Sequence, residues 1–460
     1  MRSGRVQLGS RAQQRKSPSY FAHPRIRLRC FREWNLPKSL SEYSAMNWFT
    51  WTFLAALAAE TATRLWLASR QIDAVIAHRN RVPEAFQGQI ALADQQKAAD
   101  YTLARVRFGR WATVVESLIK VGFTVGGGLA AVDAWMRHAA SGEPWHGCLV
   151  ILAVFLMLQL LGLPFALWRT FRIEARFGFN RISPRLFAAD LAKQLLLGVV
   201  LVAPLALITV WLMDRVGTWW WLWAWLVWVG TMVVVIWAAP RFIAPLFNRF
   251  TAITDASLKE RVESLLQRCG YAAGGGVFVM DGSRRSAHGN AYFTGIGRNK
   301  RIVFFDTLLA RIDVAEIEAV LAHELGHFRL HHVRQRLFTS LLSALAALAL
   351  LGWLARMPQY YSAFAVPENA PMALLLFALT IPAFAFFTTP IESWWSRRQE
   401  YAADEFAAKH ADAGNLVTAL VKLYRDNATT LTPDRVHSAF YDSHPSAALR
   451  IARLQRLVTP

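Results

Sequence analysis

The sequence predicts a mainly α, polytopic membrane protein of about seven transmembrane helices, interrupted by one small α+β domain. Three observations carry this. Hydrophobic residues make up 54% of the 460, including 19 Trp and 29 Phe, and they come in blocks of membrane-spanning length. The formal charge of +20 is concentrated between those blocks, where a membrane protein keeps its Lys and Arg, so nucleic acid is not an expected partner. Between the fifth and sixth blocks, a soluble stretch passes from helical to strand-like patterning.

Residues 1–45 carry ten Lys/Arg against Glu33 and Glu42 and show no apolar periodicity. Lacking the apolar core of a signal peptide, they are expected to be a disordered basic extension. Met46 opens directly into an apolar segment, so translation is expected to start there. Cys30, Cys148 and Cys269 lie far apart and form no C-x-x-C, which argues against a disulfide framework or a thiolate metal site.

Spans are expected at about 47–68, 111–137, 147–168, 191–213 and 218–239, forming a five-span membrane domain over 46–239. A transmembrane hairpin over 337–392 holds two more, 337–357 and 370–392. The first span contains Glu60 and Arg64; the second contains Glu116, Lys120 and Asp133. Each set includes an opposite-charge pair four residues apart. Such charges either face a bundle interior or mark helix ends that protrude into water. Gly122 and Gly126 form G-x-x-x-G, a close-packing pattern. Six Trp within residues 219–228 suit an interfacial belt. The 169–190 loop, the 240–336 segment and the tail after 393 are basic, whereas 138–146, 214–217 and 358–369 are short and nearly uncharged. The positive-inside rule puts the basic regions, and loop 69–110, in the cytoplasm.

The soluble region, 240–336, begins with an amphipathic helix over 255–269. Leu258, Val262, Leu265, Leu266 and Cys269 share one face. Gly274-Gly-Gly276 ends it. Val277-Phe-Val-Met280, Ala291-Tyr-Phe-Thr294 and Arg301-Ile-Val-Phe-Phe305 then read as a small antiparallel sheet, the last two strands joined by the turn 295–300.

Val320-Leu-Ala-His-Glu-Leu-Gly-His327 follows on one helix. His323 and His327, four apart, lie one above the other and can reach a single ion. The pattern is H-E-x-x-H, in which Glu324 beside the first ligand is the general base that activates water at a zinc ion. A zinc helix beside a sheet is the equipment of a peptidase, because an extended substrate can add to an edge strand such as Ala291–Thr294. A catalytic zinc needs a third protein ligand. His331 is too distant, roughly 12 Å from His323 along the axis at about 1.5 Å per residue. His331 and His332 are expected to be solvated or interfacial. Ser396-Arg-Arg-Gln-Glu400-Tyr-Ala-Ala-Asp404, in the C-terminal segment 393–460, stands at the end of the last span on the same side. Glu400 is the expected third ligand of one Zn2+ per chain. Asp404, one turn on, can accept the free N–H of a ligating histidine.

The pairing of His-Glu-Leu-Gly-His with Ser-Arg-x-x-Glu-x-x-Ala-Asp resembles the type-1 CAAX prenyl protease family of integral-membrane zinc metallopeptidases. Residues Gly282–Phe293, Asn299–Leu308, Phe177-Gly-Phe-Asn180, and Ser443-His-Pro445 with Arg450 resemble further motifs of that family. The likeness covers about residues 47–455. It implies that Asn290, with Ala291 and Tyr292 of the edge strand, holds substrate backbone. It also implies that His444 and Arg450 reach the catalytic site from the C-terminal segment, and that the spans enclose a chamber. A bland role for His444-Pro445 is to open the last helix.

The expected reaction is hydrolysis of peptide bonds in membrane-associated or CAAX-type, possibly lipidated, substrates. Two versions stay open: removal of three C-terminal residues from prenylated proteins, or quality-control cleavage without prenyl dependence. Peptidases of the HtpX type share the zinc pattern but have fewer spans. A metal transporter would place its ligands inside the spans; here they flank the hairpin. The Ala-, Arg- and Trp-rich composition points to a multi-pass protein of a bacterial inner membrane, with its site facing the cytoplasm or the chamber.

Overall fold

A computed structural model describes residues 46–138, 142, 144–271, 276–294 and 301–458. The expectations for residues 1–45 and for the 295–300 turn lie outside the described residues. The chain opens with two long helices, α1 (Trp48–His78) and α2 (Leu92–Phe123), which pack side by side. Asn47 caps α1 by accepting from the Phe49 N–H at 2.9 Å. After α2 come α3 (Gly128–Met136), α4 (Trp145–Trp168), α5 (Pro184–Arg215) and α6 (Trp220–Ala238). Two of these run on into π-helical turns, Arg169–Glu174 after α4 and Ala239–Ile243 after α6.

Five stretches among the described residues are long and apolar enough to cross a membrane: Trp145–Glu174, Pro184–Arg215, Gly217–Phe247, His332–Leu354 and Ala370–His410. A sixth results if α2 and α3, bent by 55° at their junction, count as one. The sequence suggested seven. The difference is α1, whose charged and polar residues dilute its hydropathy. Those residues are not loose ends in water. Glu60 is 2% exposed, is bonded by Arg64 and lies 3.6 Å from the Lys120 ammonium of α2. Both i,i+4 pairs form, and the buried carboxylate faces the neighbouring helix. Gly122 and Gly126 serve the bend between α2 and α3. A Cβ on Gly126 would lie 2.7 Å from the Gly122 carbonyl oxygen, a contact within this turn rather than with another helix.

The soluble region starts with α7 (Ala244–Phe247), strand β1 (Phe250–Ala252) and α8 (Ala256–Arg268). Asp255 caps α8, whose expected apolar face is fully buried at Leu258, Val262, Leu265, Leu266 and Cys269. β2 (Val277–Met280), β3 (Ala291–Thr294) and β4 (Arg301–Phe305) complete a four-stranded sheet of order β1-β2-β4-β3. The sheet is mixed, not antiparallel. β3 and β4 form the expected antiparallel pair, with Ala291 opposite Phe304, but β2 runs parallel to β4. β2 and β4 can run parallel because β3 and its connections lie between them in the chain, so no hairpin joins them. The antiparallel partner of β2 is β1, a strand too short to show in the sequence pattern. β3 is an edge strand, as expected.

Then come α9 (Asp306–Leu309), α10 (Val314–Arg329), α11 (His332–Leu354), α12 (Pro358–Ser362), α13 (Ala370–Ala385) and α14 (Thr389–His410). The chain ends with α15 (Ala413–Asp426), α16 (Arg435–Tyr441) and α17 (Ala447–Val458). α13 and α14 are joined by one 3-10 turn, so the helix bearing Glu400 continues directly from the last span. Two main cores result. One packs α8, the sheet, α10, α15 and α17, with Phe304, Leu321, Leu325 and Ile451 at its centre. The other packs the apolar helices around Phe53, Leu129, Val150 and Met372.

Candidate metal centre

α10 starts where Asp313 and Glu316 form a capping box, the Asp313 N–H donating to Glu316 at 2.7 Å. Lys422 of α15 ties this end down at 2.8 Å from Glu316. The helix then runs through the core and presents His323 and His327 toward α14. The two helices approach closely at Gly326, where a Cβ would lie 3.0 Å from the Cα and 3.1 Å from the carbonyl oxygen of Ala403. A Cβ there would be tighter than ordinary contact, so glycine favours the close approach.

Across this contact Glu400 meets both imidazoles. Its oxygens lie 3.2 Å from His327 Nε2 and 3.4 Å from His323 Nε2, and the two Nε2 atoms are 3.3 Å apart. One donor atom from each residue falls within 4.8 Å of the others. The opposite nitrogens are occupied, which aims both rings inward. His323 Nδ1 faces Asp404 at 2.9 Å, and His327 Nδ1 faces His332 Nδ1 at 3.0 Å. Arg450 of α17 donates to both Asp404 oxygens through Nε and a terminal nitrogen. Asp404 is 1% exposed and Arg450 5%, a buried pair that needs this two-pronged geometry to offset desolvation.

The electrostatics favour a cation between the donors. Burial alone would lower the His323 imidazole, yet the Asp404 and Glu400 carboxylates raise it to about 9. Glu400 Oε2 is buried without a hydrogen-bond partner. Two imidazole nitrogens and a carboxylate oxygen are a borderline donor set suited to zinc, so the residues present fit a divalent metal. Glu324 lines, together with His323, a cavity of about 440 Å³, whose wall also includes Asn290, Ala291, His444 and Arg450. The low-dielectric surroundings raise the Glu324 carboxyl above its ordinary value.

The other expected residues are placed as follows. Asn290 and Ala291 face the cavity, the Asn290 side chain accepting from the Ala291 N–H at 2.8 Å. The Tyr292 hydroxyl points instead to the Met280 sulfur at 3.8 Å, following strand alternation. His444 is exposed to the cavity, its Nε2 3.5 Å from Glu400, while α17 begins later, at Ala447. His331 is exposed, but His332 is not solvated as expected. It is 5% exposed and backs His327. No helical spacing signalled this, because His331 takes a left-handed conformation (φ 63°) that breaks the helix between the two histidines. Asn427 was also unmarked in the sequence. Its side-chain oxygen takes the Gly289 N–H at 3.1 Å and faces His288, fixing the approach to β3.

Residues 71–249 match the family described as CAAX prenyl protease N-terminal, five membrane helices, and residues 252–458 match Peptidase family M48. CAAX prenyl protease 1 of Saccharomyces cerevisiae is 35% identical over 315 residues, covering 64% of this chain and 69% of that protein. The chain belongs to the CAAX prenyl protease 1 family. Homologues of this family in Caenorhabditis elegans and Homo sapiens are 28% and 27% identical over 88% and 93% of the chain. The crystal structure of S. mikatae Ste24p superposes with a TM-score of 0.82 at 27% identity, covering 89% of this chain and 99% of that one. The protein is accordingly an integral-membrane metallopeptidase with the polytopic, chambered fold of this family.

Proposed function

We propose that the protein is a zinc metalloendopeptidase that cuts membrane-associated, CAAX-type substrates. One observation carries this reading: Glu400, on the helix that continues from the last apolar span, meets His323 and His327 of α10. These three residues would hold Zn2+, with Asp404 orienting His323. When bound, zinc supplies Lewis acidity, polarising the scissile carbonyl and making a nearby water easier to deprotonate. Glu324 takes a proton from the attacking water and returns it to the leaving amine. His444 offers an N–H toward the oxygen on which negative charge develops. Arg450 holds Asp404 and thereby the His323 ring. The substrate lies along β3, pairing through its backbone, with Asn290 at the entrance.

The basic connections on the side of the site favour a cytoplasmic position for it. Backbone pairing tolerates many side chains, so the edge strand also supports a second reading, quality-control cleavage without prenyl dependence. Two experiments test these statements. Glu324→Gln, purified with its metal, should keep the ion and lose activity by on the order of 10²- to 10⁴-fold; undiminished cleavage would refute the base assignment. Matched peptides with and without a farnesyl group, each with and without chelator, separate the two substrate readings. Cleavage that survives chelation would refute the metal.

A further inference from the structure

The metal-side cavity is not closed. Asn427 and Thr429 line it and also two deeper spaces, of about 1000 and 630 Å³, bounded by α2, α4 and the π-helical turn that follows α4. Arg105 of α2 and Arg169 at the start of that turn line both deeper spaces. A π-helical turn widens the local spacing of side chains and is common at functional sites.

The acidic residues of this wall are already engaged. Asp190 is held by Arg285 through two bonds, at 2.7 and 3.0 Å. Glu174 accepts from the Tyr101 hydroxyl at 2.8 Å and faces His288 at 3.6 Å. Asp442 lies where the metal-side cavity meets the smaller deep space, and burial pushes its carboxyl up. Arg105 lies over the Tyr101 ring, 5.3 Å from its centroid, and its charge also acts on nearby Glu174. Neither Arg105 nor Arg169 forms an ion pair with a carboxylate among the described residues, though both side chains are exposed to the interior space. Two guanidinium groups lining one connected space attract an anion, and a planar carboxylate matches their forked geometry.

We propose that Arg105 and Arg169 bind the C-terminal carboxylate of the peptide substrate, so that the protein measures its cut from the chain end. The inference rests on the CAAX-type reading above and deepens it. A cut three residues before the terminus places the carboxylate about 10 Å beyond the scissile bond, at about 3.3 Å per extended residue. The cavity lined by Glu324 and Asn290 shares Asn427 and Thr429 with both spaces that the two arginines line, which places the arginines next to the cleavage site. Backbone pairing on β3 then sets orientation, and the charge at the end of the chain sets register.

The test uses the full-length protein in detergent or proteoliposomes. Three peptides share one scissile sequence: the free C-terminal acid, the C-terminal carboxamide, and a version extended by ten residues. kcat/KM is measured for the wild type, Arg105→Gln, Arg169→Gln and the double variant. The wild type should cut the acid about tenfold or more faster than the amide, the range expected for a hydrogen bond to a charged group. The double variant should lose that preference while cutting the amide and extended peptides at wild-type rates, which shows that its fold and metal site are intact. Equal wild-type cleavage of acid and amide would overturn the inference and leave the peptidase reading standing. A loss shared equally by all three peptides would also overturn it, assigning the arginines to structure or to a bound lipid headgroup. Failure to cut any peptide would overturn the peptidase reading, and this inference with it.

Discussion

Gly326 is the place where a single methyl group tests how the site is assembled. A Cβ there would lie 3.0 Å from the Ala403 Cα and 3.1 Å from the Phe406 Cβ, both on the helix that carries Glu400 and Asp404. Ordinary carbon contacts are about 3.5–4.0 Å, so Gly326→Ala requires α10 and α14 to separate by roughly half an ångström. Two effects compete in stability. Alanine gains about 1 kcal/mol of helix propensity, whereas overpacking costs about 1–3 kcal/mol. The net loss of stability is therefore small, between about 0 and 2 kcal/mol. The metal centre is less tolerant, since donor distances hold to about 0.2 Å. Gly326→Ala should thus lower metal affinity about tenfold or more while moving the melting temperature little; Gly326→Val should lose both. Metal content after equilibration against graded chelator, measured beside thermal unfolding, provides the readout. Gly109→Ala is the control, because nothing lies within 4 Å of a Cβ there. A Gly326→Ala protein that binds metal as tightly as wild type would refute the argument that this helix contact sets the donor spacing.

Three further outcomes are expected. Asp404→Ala strands the buried Arg450 charge and should destabilise the protein by about 3–5 kcal/mol; Asp404→Leu with Arg450→Met should recover much of that in chemical denaturation, and no recovery would show that charge burial is not the cause. Removing the metal should abolish cleavage and lower the unfolding temperature, with added Zn2+ restoring both; an unchanged melting curve would show that the ion does not brace α10 against α14. Burial opposes ionisation of Asp434, but its bonds from Arg70 and from the His437 and Val436 N–H groups hold its carboxyl below the usual range. A carboxylate lowered by folding stabilises the protein above the unfolded value of about 4, and this is lost as pH falls through the folded value. The gap in melting temperature between wild type and Arg70→Gln should therefore narrow from pH 6 to pH 3; a constant gap would remove the ion pair as its source.

The parts of the molecule that were legible in the sequence are those where periodicity and chemistry coincide. The spacing of His323, Glu324 and His327 is a helical fact, and Leu258, Val262, Leu265 and Leu266 share a face because they recur at helical intervals. Glu400 was reachable because its helix continues from an apolar span. Other features depend on partners distant in sequence. β1 has only three residues, and the parallel pairing of β2 with β4 is set by space, not by adjacency. α1 departs from an apolar span because Glu60 finds Arg64 and Lys120 inside the bundle, which hydropathy cannot register. His332 reaches His327 only because the backbone turns left-handed at His331. The positions of Arg105 and Arg169 on one interior wall emerge only after α2 and the end of α4 are brought together.

The continuity of α13 with α14 bears on how such a protein comes into being. Its histidines leave the ribosome before the last two membrane crossings, and its carboxylate only after them. A chain that ends before the hairpin therefore holds two of the three donors and lacks the carboxylate. The centre is complete only when the whole hairpin stands between its two halves.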